Sequence, residues 1–186
     1  MRSVTPEEAA EALRNGAVAL VPTETVVGLV AAEADVLNRV KGSDPTKPIA
    51  LLCASAEVAF SLASEVPPLA RTLADLYWPG PLTLVLDRAG GGTVGLRVPS
   101  GAVVGLLGAF GRPLYATSAN PTGRPAPRSL DEVDPAIVSS ADLAVEGAPG
   151  SGEASAVVDL SAGKARMLRA APGLTPEKLQ EIVAIA

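Results

Sequence analysis

The chain contains no histidine, and this absence excludes more chemistry than any other feature of its composition. Without an imidazole it can form neither a Ser-His-Asp nor a Cys-His catalytic arrangement, nor a histidine-based metal cluster. The single cysteine, Cys53, cannot form an internal disulfide, and its apolar surroundings predict a small core residue rather than a nucleophile. Catalysis would therefore use carboxylates, lysine, arginine, hydroxyls and backbone groups, which suits nucleotidyl or phosphoryl transfer.

Aromatic residues and long apolar runs are also scarce. Aromatics make up 3% of the chain, so its 48% hydrophobic content implies a core of Ala, Val, Leu and Ile. No apolar run approaches the length of a membrane span, and the N-terminus lacks a signal-peptide pattern. With a single cysteine, these features predict a cytoplasmic protein. The net charge of −5 argues against a strongly basic nucleic-acid footprint but leaves a local basic patch open.

Strand and helix patterns mix throughout the 186 residues and predict one α/β domain, residues 1–186, built on one twisted sheet. Thr5, Pro6 and Glu8 form a helix start with a capping box, and Thr175 and Pro176 start the last helix. Strands are predicted at residues 17–21, 26–32, 49–53, 82–86, 94–98, 114–117, 143–145, 156–160 and 166–168. Helices are predicted at residues 6–15, 34–40, 56–64, 68–77, 102–110 with Ser100 as cap, part of 130–139, and after Thr175.

Small hydroxyl and amide residues stand where several of the apolar strands end. The polar ends lie at residues 23–25, 117–120 and 151–155, and Lys41, Lys47, Arg124, Arg128 and Arg169 occupy loops near them. Taken singly, each end is better explained by a local Asx or Ser/Thr turn. If several converged on one rim, their hydrogen-bonding groups would suit the phosphate, hydroxyl or carboxylate of a ligand. The residues alone leave both explanations, separate local turns and one shared ligand site, open.

Seven short motifs follow one another in the order seen in the YrdC-like family, which the chain resembles over nearly its whole length. Each motif is weak alone, whereas the ordered set is strong support for membership. The motifs are PTETVVGL (22–29), KGSDPTKPIALL (41–52), PGPLTLVL (79–86), LRVP (96–99), TSANPTG (117–123), SAVVDL (155–160) and LRAAPG (168–173).

The resemblance implies a YrdC-like (DHBP-synthase-like) fold, with an open, strongly curved mixed sheet flanked by helices and a concave basic face. It also implies synthesis of threonylcarbamoyl-AMP and pyrophosphate from L-threonine, bicarbonate and ATP, with Mg²⁺ accompanying the ATP. The product would serve the t6A modification of tRNA, and RNA or tRNA-modification proteins are further implied partners. Longer relatives carry an additional C-terminal domain, which this chain is expected to lack.

The resemblance also implies a nucleotide site and a threonine site. Lys41 would contact the phosphates, while Ser118 and Asn120 would hold phosphate or metal-bound oxygens. Thr23 and Ser155 would contact the threonine, and no protein side chain is assigned to a metal. The implied nucleotide-binding residues are Lys41, Ser43, Lys47, Thr83, Ser118, Asn120 and Arg169.

Several positions depart from the family pattern. Ser43 stands where the family has an arginine, and a hydroxyl cannot replace the bidentate guanidinium. Lys47 would reach the phosphates only as a point charge. Val27 replaces the usual tyrosine, and Ala156 replaces a threonine. If these positions contact ligand, the changes favour the alternative of a non-synthase paralogue that binds nucleotide or double-stranded RNA. A stable α/β domain with no retained site is the third possibility.

Overall fold

Ten strands of the chain form a single sheet in the computed structural model, which describes residues 2–42 and 49–185. In chain order the strands are β1 (Arg2–Val4), β2 (Ala19–Pro22), β3 (Val27–Ala31), β4 (Ala50–Leu52), β5 (Leu82–Asp87), β6 (Thr93–Arg97), β7 (Leu114–Ser118), β8 (Leu143–Val145), β9 (Ala156–Asp159) and β10 (Arg166–Arg169). The sheet order is β1-β8-β2-β3-β7-β4-β6-β5-β9-β10. Parallel and antiparallel pairs both occur, as in β5 with β9 and β5 with β6.

Helices pack on both faces of this sheet. They are α1 (Pro6–Arg14), α2 (Ala34–Lys41), α3 (Ala56–Phe60), α4 (Pro68–Tyr77), α5 (Val103–Phe110), α6 (Pro135–Val138) and α7 (Pro176–Ile185), with short 3₁₀ turns at Leu130–Glu132 and Ser161–Gly163. The capping box that predicted α1 is present, with Thr5 and Glu8 as its two side chains. Within the part of the chain that the structure describes, none of the helices combines the length and apolarity needed to cross a membrane.

Strand alternation divides the sheet residues between separate hydrophobic clusters. Leu84 and Leu96 point into a core that α3, α4 and α7 cover. Val30 and Leu114 point to the other face, where α1 and α5 cover the strands around β3 and β7. Leu29 packs with α2 and α6 in a third cluster. Helices α1 and α5 cover one end of their face of the sheet. On the same face, residues of β4, β5, β6 and β9 line the cavity described below. The predicted fold class, an α/β protein with one open mixed sheet flanked by helices, is confirmed.

The observed elements differ from the predicted ones at several positions. Strand β1 was not predicted, because its three residues are too short and too polar to stand out before they pair with β8. Helix α3 ends at Phe60 rather than at residue 64, since Ala63 and Ser64 pair with the end of β5. Ser100 does not cap α5; its backbone N–H donates to Glu24 instead. The strand predicted at 156–160 ends at Asp159.

Candidate functional site

A cavity of about 450 Å³ lies over the middle of the sheet, and small residues form its floor. Ala50, Gly95 and Ala116 line it from the adjacent strands β4, β6 and β7. A Cβ placed on Gly95 would lie 3.5 Å from Cγ2 of Thr83 and 3.6 Å from Cα of Ala50. The sheet therefore leaves room above these strands, where larger side chains would fill it.

One wall of the cavity is a hydrogen-bonded group from three strand ends. Oγ1 of Thr83 lies 3.0 Å from Oγ of Ser155, and both side chains are buried. Arg169 donates from Nε to the carbonyl oxygen of Ser155 at 2.7 Å and from Nη2 to its hydroxyl at 3.3 Å. Burial, together with the nearby charge of Arg97, lowers the pKa of Arg169 from its ordinary value. No carboxylate lies within 4.0 Å of this guanidinium among residues 2–42 and 49–185.

Beside this group lies a second buried arginine, Arg97, at the end of β6. Its Nη2 donates to Oε1 of Glu24 at 2.7 Å and to Oγ1 of Thr25 at 2.8 Å, and its Nε donates to the carbonyl oxygen of Gly80 at 3.2 Å. Only 9% of the Arg97 side chain is exposed. A guanidinium that is desolvated to this extent needs several partners, and here Glu24 supplies the opposite charge.

Another wall is formed around Lys41, the last residue of α2. Its Nζ donates to the carbonyl oxygen of Ser118 at 2.8 Å and to that of Asn120. Burial lowers the pKa of this lysine below its ordinary value. The ammonium is thereby fixed at the end of β7, and no carboxylate pairs with it in the described part of the chain.

Two carboxamides near Lys41 carry buried oxygens. Asn120 donates through its amide nitrogen to the carbonyl oxygens of Pro121 and Arg124, which holds the loop after β7 in place. Its Oδ1, and that of Asn38 on α2, are buried and have no hydrogen-bond partner among the described residues. Asn38 also lines the cavity. Buried acceptors without partners are unusual in folded proteins, and both of these belong to residues close to Lys41.

The turn between β2 and β3 closes the third side of the cavity. The Thr23 hydroxyl donates to the carbonyl oxygen of Val26 at 2.8 Å and accepts from the backbone N–H groups of Thr25 and Val26. The loop before β9 packs on this turn, since Ser151 and Gly152 donate their N–H groups to it. The Thr23 hydroxyl is thus engaged within its own turn.

Most of the residues implied by the resemblance meet at this cavity, although they come from distant parts of the chain. Asn120 lies beside it through its contact with Lys41. Ser43 and Lys47 lie outside the described residues. Those that line the cavity are Thr23, Lys41, Thr83, Ser118, Ser155 and Arg169.

The sequence reasoning missed several lining residues, of which Arg97 is the most important. The LRVP motif contained it, and an arginine within an otherwise apolar strand was the available indication. Asn38 on α2 carries no comparable pattern, whereas Thr25 and Thr117 belong to the predicted polar strand ends but received no role of their own. The polar lining residues without a predicted role are Thr25, Asn38, Arg97 and Thr117.

Two of the departures from the family pattern need a different interpretation. Val27 is fully buried in the cluster with Leu29 and Leu37, while its neighbours Val26 and Gly28 line the cavity. Ala156 packs in the core on the opposite face from Ser155. Neither side chain lines the cavity, so the idea that these changes remove ligand contacts is wrong for the described cavity.

The electrostatic character of the cavity is positive. Lys41, Arg97 and Arg169 are the lining cations, and Glu24, paired with Arg97, offsets one of them. In the described ranges, no three acidic, cysteine or histidine side chains cluster as a metal site would require. The donors are hydroxyls, carboxamides and cations, a set that suits an anion.

Comparison with known proteins bears on both the fold and the family. Residues 11–171 match the family model for Sua5, YciO and YrdC proteins, described as "Telomere recombination". A threonylcarbamoyl-AMP synthase of Pyrococcus abyssi is 34% identical over 94% of this chain and 56% of its own length. A putative threonylcarbamoyl-AMP synthase of Mycobacterium leprae is 31% identical over 95% of this chain and 87% of its own. The chain thus spans little more than half of the archaeal relative and most of the mycobacterial one.

The solved structures agree with this assignment. The crystal structure of P. abyssi Sua5 complexed with L-threonine superposes with a TM-score of 0.87 at 32% identity, covering 96% of this chain and 57% of that one. The predicted resemblance is confirmed: the chain belongs to the Sua5/YciO/YrdC family.

Proposed function

We propose that this protein is an L-threonylcarbamoyladenylate synthase, which makes threonylcarbamoyl-AMP and pyrophosphate from L-threonine, bicarbonate and ATP. The product would serve the t6A modification of tRNA. The observation that carries the proposal is that Lys41, Arg97 and Arg169 line one cavity together with several hydroxyls. The relatives' names support it, as does the L-threonine in the P. abyssi Sua5 structure.

The reaction requires the protein to bring anions together rather than to supply a strong base. The amine of threonine combines with carbon dioxide derived from bicarbonate to give a carbamate, releasing a proton. A carbamate oxygen then attacks the α-phosphorus of ATP, and the bond to the β-phosphate oxygen breaks to release pyrophosphate. Because the nucleophile is already an anion, a chain without histidine can catalyse this step through positioning and charge stabilisation.

The cavity suggests how the predicted roles would be divided. Lys41, with Ser118 and Asn120, would face the phosphates from the wall at the end of β7. Thr83 and Arg169 would line the nucleotide on the other wall, where Ser155 would also contact the threonine. The Thr23 hydroxyl is engaged in its own turn, so its role toward threonine would include shaping that turn.

Magnesium would enter with the nucleotide as part of the MgATP substrate. Mg²⁺ commonly keeps several waters and is bound through substrate phosphates with few protein ligands. The Glu24 carboxylate contacts Arg97 and the Ser100 N–H, which leaves hydroxyls and carboxamides as the neighbouring donors. The cytoplasmic location and the RNA and tRNA-modification partners stay predictions.

The alternative of a non-synthase nucleotide- or RNA-binding paralogue loses part of its basis. It relied on Val27 and Ala156 as lost ligand contacts, and both side chains belong to the hydrophobic clusters. The absence of the arginine at Ser43 is the remaining argument for it.

The decisive experiment measures pyrophosphate release from MgATP with and without L-threonine and bicarbonate. We expect release that depends on both, and threonylcarbamoyl-AMP as the second product by mass spectrometry. Release independent of threonine, or none at high enzyme concentration, would leave the paralogue as the better description.

A pair of variants locates the activity in the cavity. Lys41→Met removes the ammonium beside the Ser118 and Asn120 carbonyls, and we expect MgATP affinity to fall at least tenfold because a charged contact to phosphate is lost. Arg39→Met removes the same charge from the exposed side of α2 and should leave affinity within twofold. Equal effects of the two variants in a calorimetric titration would contradict the assignment of Lys41.

A further inference from the structure

Glu24 connects several segments that meet at the cavity, although it is not among the residues that line it. Its Oε1 accepts from Nη2 of Arg97 at 2.7 Å, and its Oε2 accepts from the backbone N–H of Ser100 at 3.1 Å. Its backbone carbonyl accepts from the N–H of Ser151 at 2.9 Å. One residue thus ties the β2–β3 turn to the end of β6, the start of α5 and the loop before β9.

The Arg97 guanidinium is held in one orientation by these contacts. Nε and Nη2 are occupied by Gly80, Glu24 and Thr25. Nη1 has no hydrogen-bond partner among the described residues, and it retains accessible surface. Arg97 lines the cavity, so Nη1 is the part of the guanidinium that remains for a ligand.

We propose that Glu24 is a positioning residue: it fixes the Arg97 guanidinium so that its remaining N–H groups meet an anionic group of the ligand, a carboxylate or a phosphate. The inference rests on the proposed function for the identity of the substrates. Long arginine side chains lose considerable rotamer entropy when they are ordered, and a carboxylate that orders one beforehand removes that cost from ligand binding.

Charge alone predicts the opposite result from positioning, and this makes the inference testable. If Glu24 only neutralised Arg97, its removal would leave the cavity more positive and anions would bind more tightly. If Glu24 positions Arg97, its removal lets the guanidinium turn away, and the anion binds more weakly despite the added positive charge.

Two variants separate these possibilities. Glu24→Gln keeps the length of the side chain and removes its charge. Glu24→Asp keeps the charge but is one methylene shorter, so it cannot reach Arg97 and Ser100 together. The titrations use L-threonine, MgATP and inorganic pyrophosphate separately, which distinguishes a carboxylate from a phosphate as the anion. We expect both variants to bind the ligand whose anionic group meets Arg97 at least fivefold more weakly than wild type does. That ligand is L-threonine if the group is a carboxylate, and MgATP and pyrophosphate if it is a phosphate. Ligands of the other class should bind within twofold of wild type.

A double-mutant cycle tests whether the effect passes through Arg97. Arg97→Met should weaken the same ligand, and Glu24→Asp should cause less than a twofold further loss in that background. A full additional loss would show that Glu24 acts on the fold in general, and would overturn the inference. So would tighter or unchanged binding of every probe by both Glu24 variants.

The control variant breaks a different ion pair, that of Asp159 on β9 with Arg166 on β10, in which Oδ2 lies 2.8 Å from Nη2. Asp159→Asn removes a carboxylate from a neighbouring pair of strands, and should leave every affinity within twofold. Circular dichroism and thermal unfolding identify variants that do not fold, and Glu24→Asp, which retains the charge, supports the test if Glu24→Gln is too unstable.

The outcomes for the proposed function and for this inference are separate. If wild type binds pyrophosphate or MgATP but shows no threonine-dependent turnover, the proposed function fails while the Glu24 variants still decide the inference by binding. If wild type binds none of the three probes, the inference fails directly, because Arg97 then has no anion to meet.

Discussion

Gly95 and Leu96 are consecutive residues of β6, yet they face entirely different surroundings. Leu96 is fully buried in the core with Leu82 and Leu84. Gly95 faces the cavity beside Ala50, where a larger side chain would occupy ligand space. Alternation along one strand thus separates the residues that hold the fold together from those that leave room for chemistry.

The same division extends to the neighbouring strands. In β5 Leu84 packs in the core while Thr83 faces the cavity. At the start of β9 Ala156 packs in the core, while Ser155, the residue before the strand, faces the cavity. The cavity face is organised by hydrogen bonds between side chains, and the core face by apolar burial. A change on the core face should therefore affect stability, and a change on the cavity face should affect ligand binding.

The largest expected effect belongs to the core face. Leu96→Ala removes a fully buried side chain and leaves a void, which should lower the free energy of unfolding by about 3 kcal/mol. Denaturant unfolding measures the loss. The folded fraction should bind MgATP and L-threonine as wild type does, and a large loss of affinity at full folding would show that the two faces are coupled.

A substitution on the adjacent residue should have the reverse effect. Gly95→Val places two methyl groups above the cavity floor, and we expect ligand affinity to fall about tenfold, or about 1.4 kcal/mol. The free energy of unfolding should change by less than about 1 kcal/mol, since the added Cβ makes only ordinary contacts with Thr83 and Ala50.

Gly95→Ala is the graded control for that prediction. It adds only the Cβ, so its effect on calorimetric affinity should be smaller than that of Gly95→Val. If Gly95→Val lowered the free energy of unfolding while ligand affinity stayed intact, the floor assigned to β6 would be incorrect.

The fold was largely predictable because its strands are apolar runs bounded by turn residues. The short apolar runs at residues 82–86 and 94–98 predict strands from local pattern alone, and the ordered motifs indicated the family to which the sheet belongs. What could not be predicted depends on tertiary partners. Three residues at Arg2–Val4 become a strand only because β8 is available, and Ala63 leaves a helical pattern to pair with Arg88.

The site was predictable in part for a similar reason. Lys41, Ser118 and Arg169 belong to motifs and lie at element ends, where ligand residues concentrate. Arg97 was missed because an arginine in a strand ordinarily indicates a solvent-exposed face, and its partner Glu24 lies 73 positions away in the sequence. The importance of Val27 and Ala156 was overestimated because a motif gives the residue types but not the face to which each side chain points.

The smallest expected effect concerns Asp159, which follows the cavity residue Val157 by two positions but lies beyond the cavity lining. Burial opposes ionisation of this carboxyl, but hydrogen bonds from Ser161 and Arg166 outweigh it and hold its pKa below the ordinary value. A carboxyl with a lowered folded-state pKa stabilises the protein above its unfolded pKa of about 3.9, and that stability disappears as the pH falls through the folded-state value.

Asp159→Asn should therefore cost roughly 1 kcal/mol of unfolding free energy at pH 7, discounted because the Arg166 side chain is 71% exposed. The difference from wild type should stay constant down to about pH 5 and shrink below it. Urea unfolding across this range measures it, with Asp75→Asn on the exposed side of α4 as the matched change of charge. A difference that grew as the pH fell would mean that the carboxyl is destabilised by its burial, and that its partners do not compensate for it. Because the carboxyl lies outside the cavity lining, ligand affinity should be the same in wild type and variant at every pH at which both are folded.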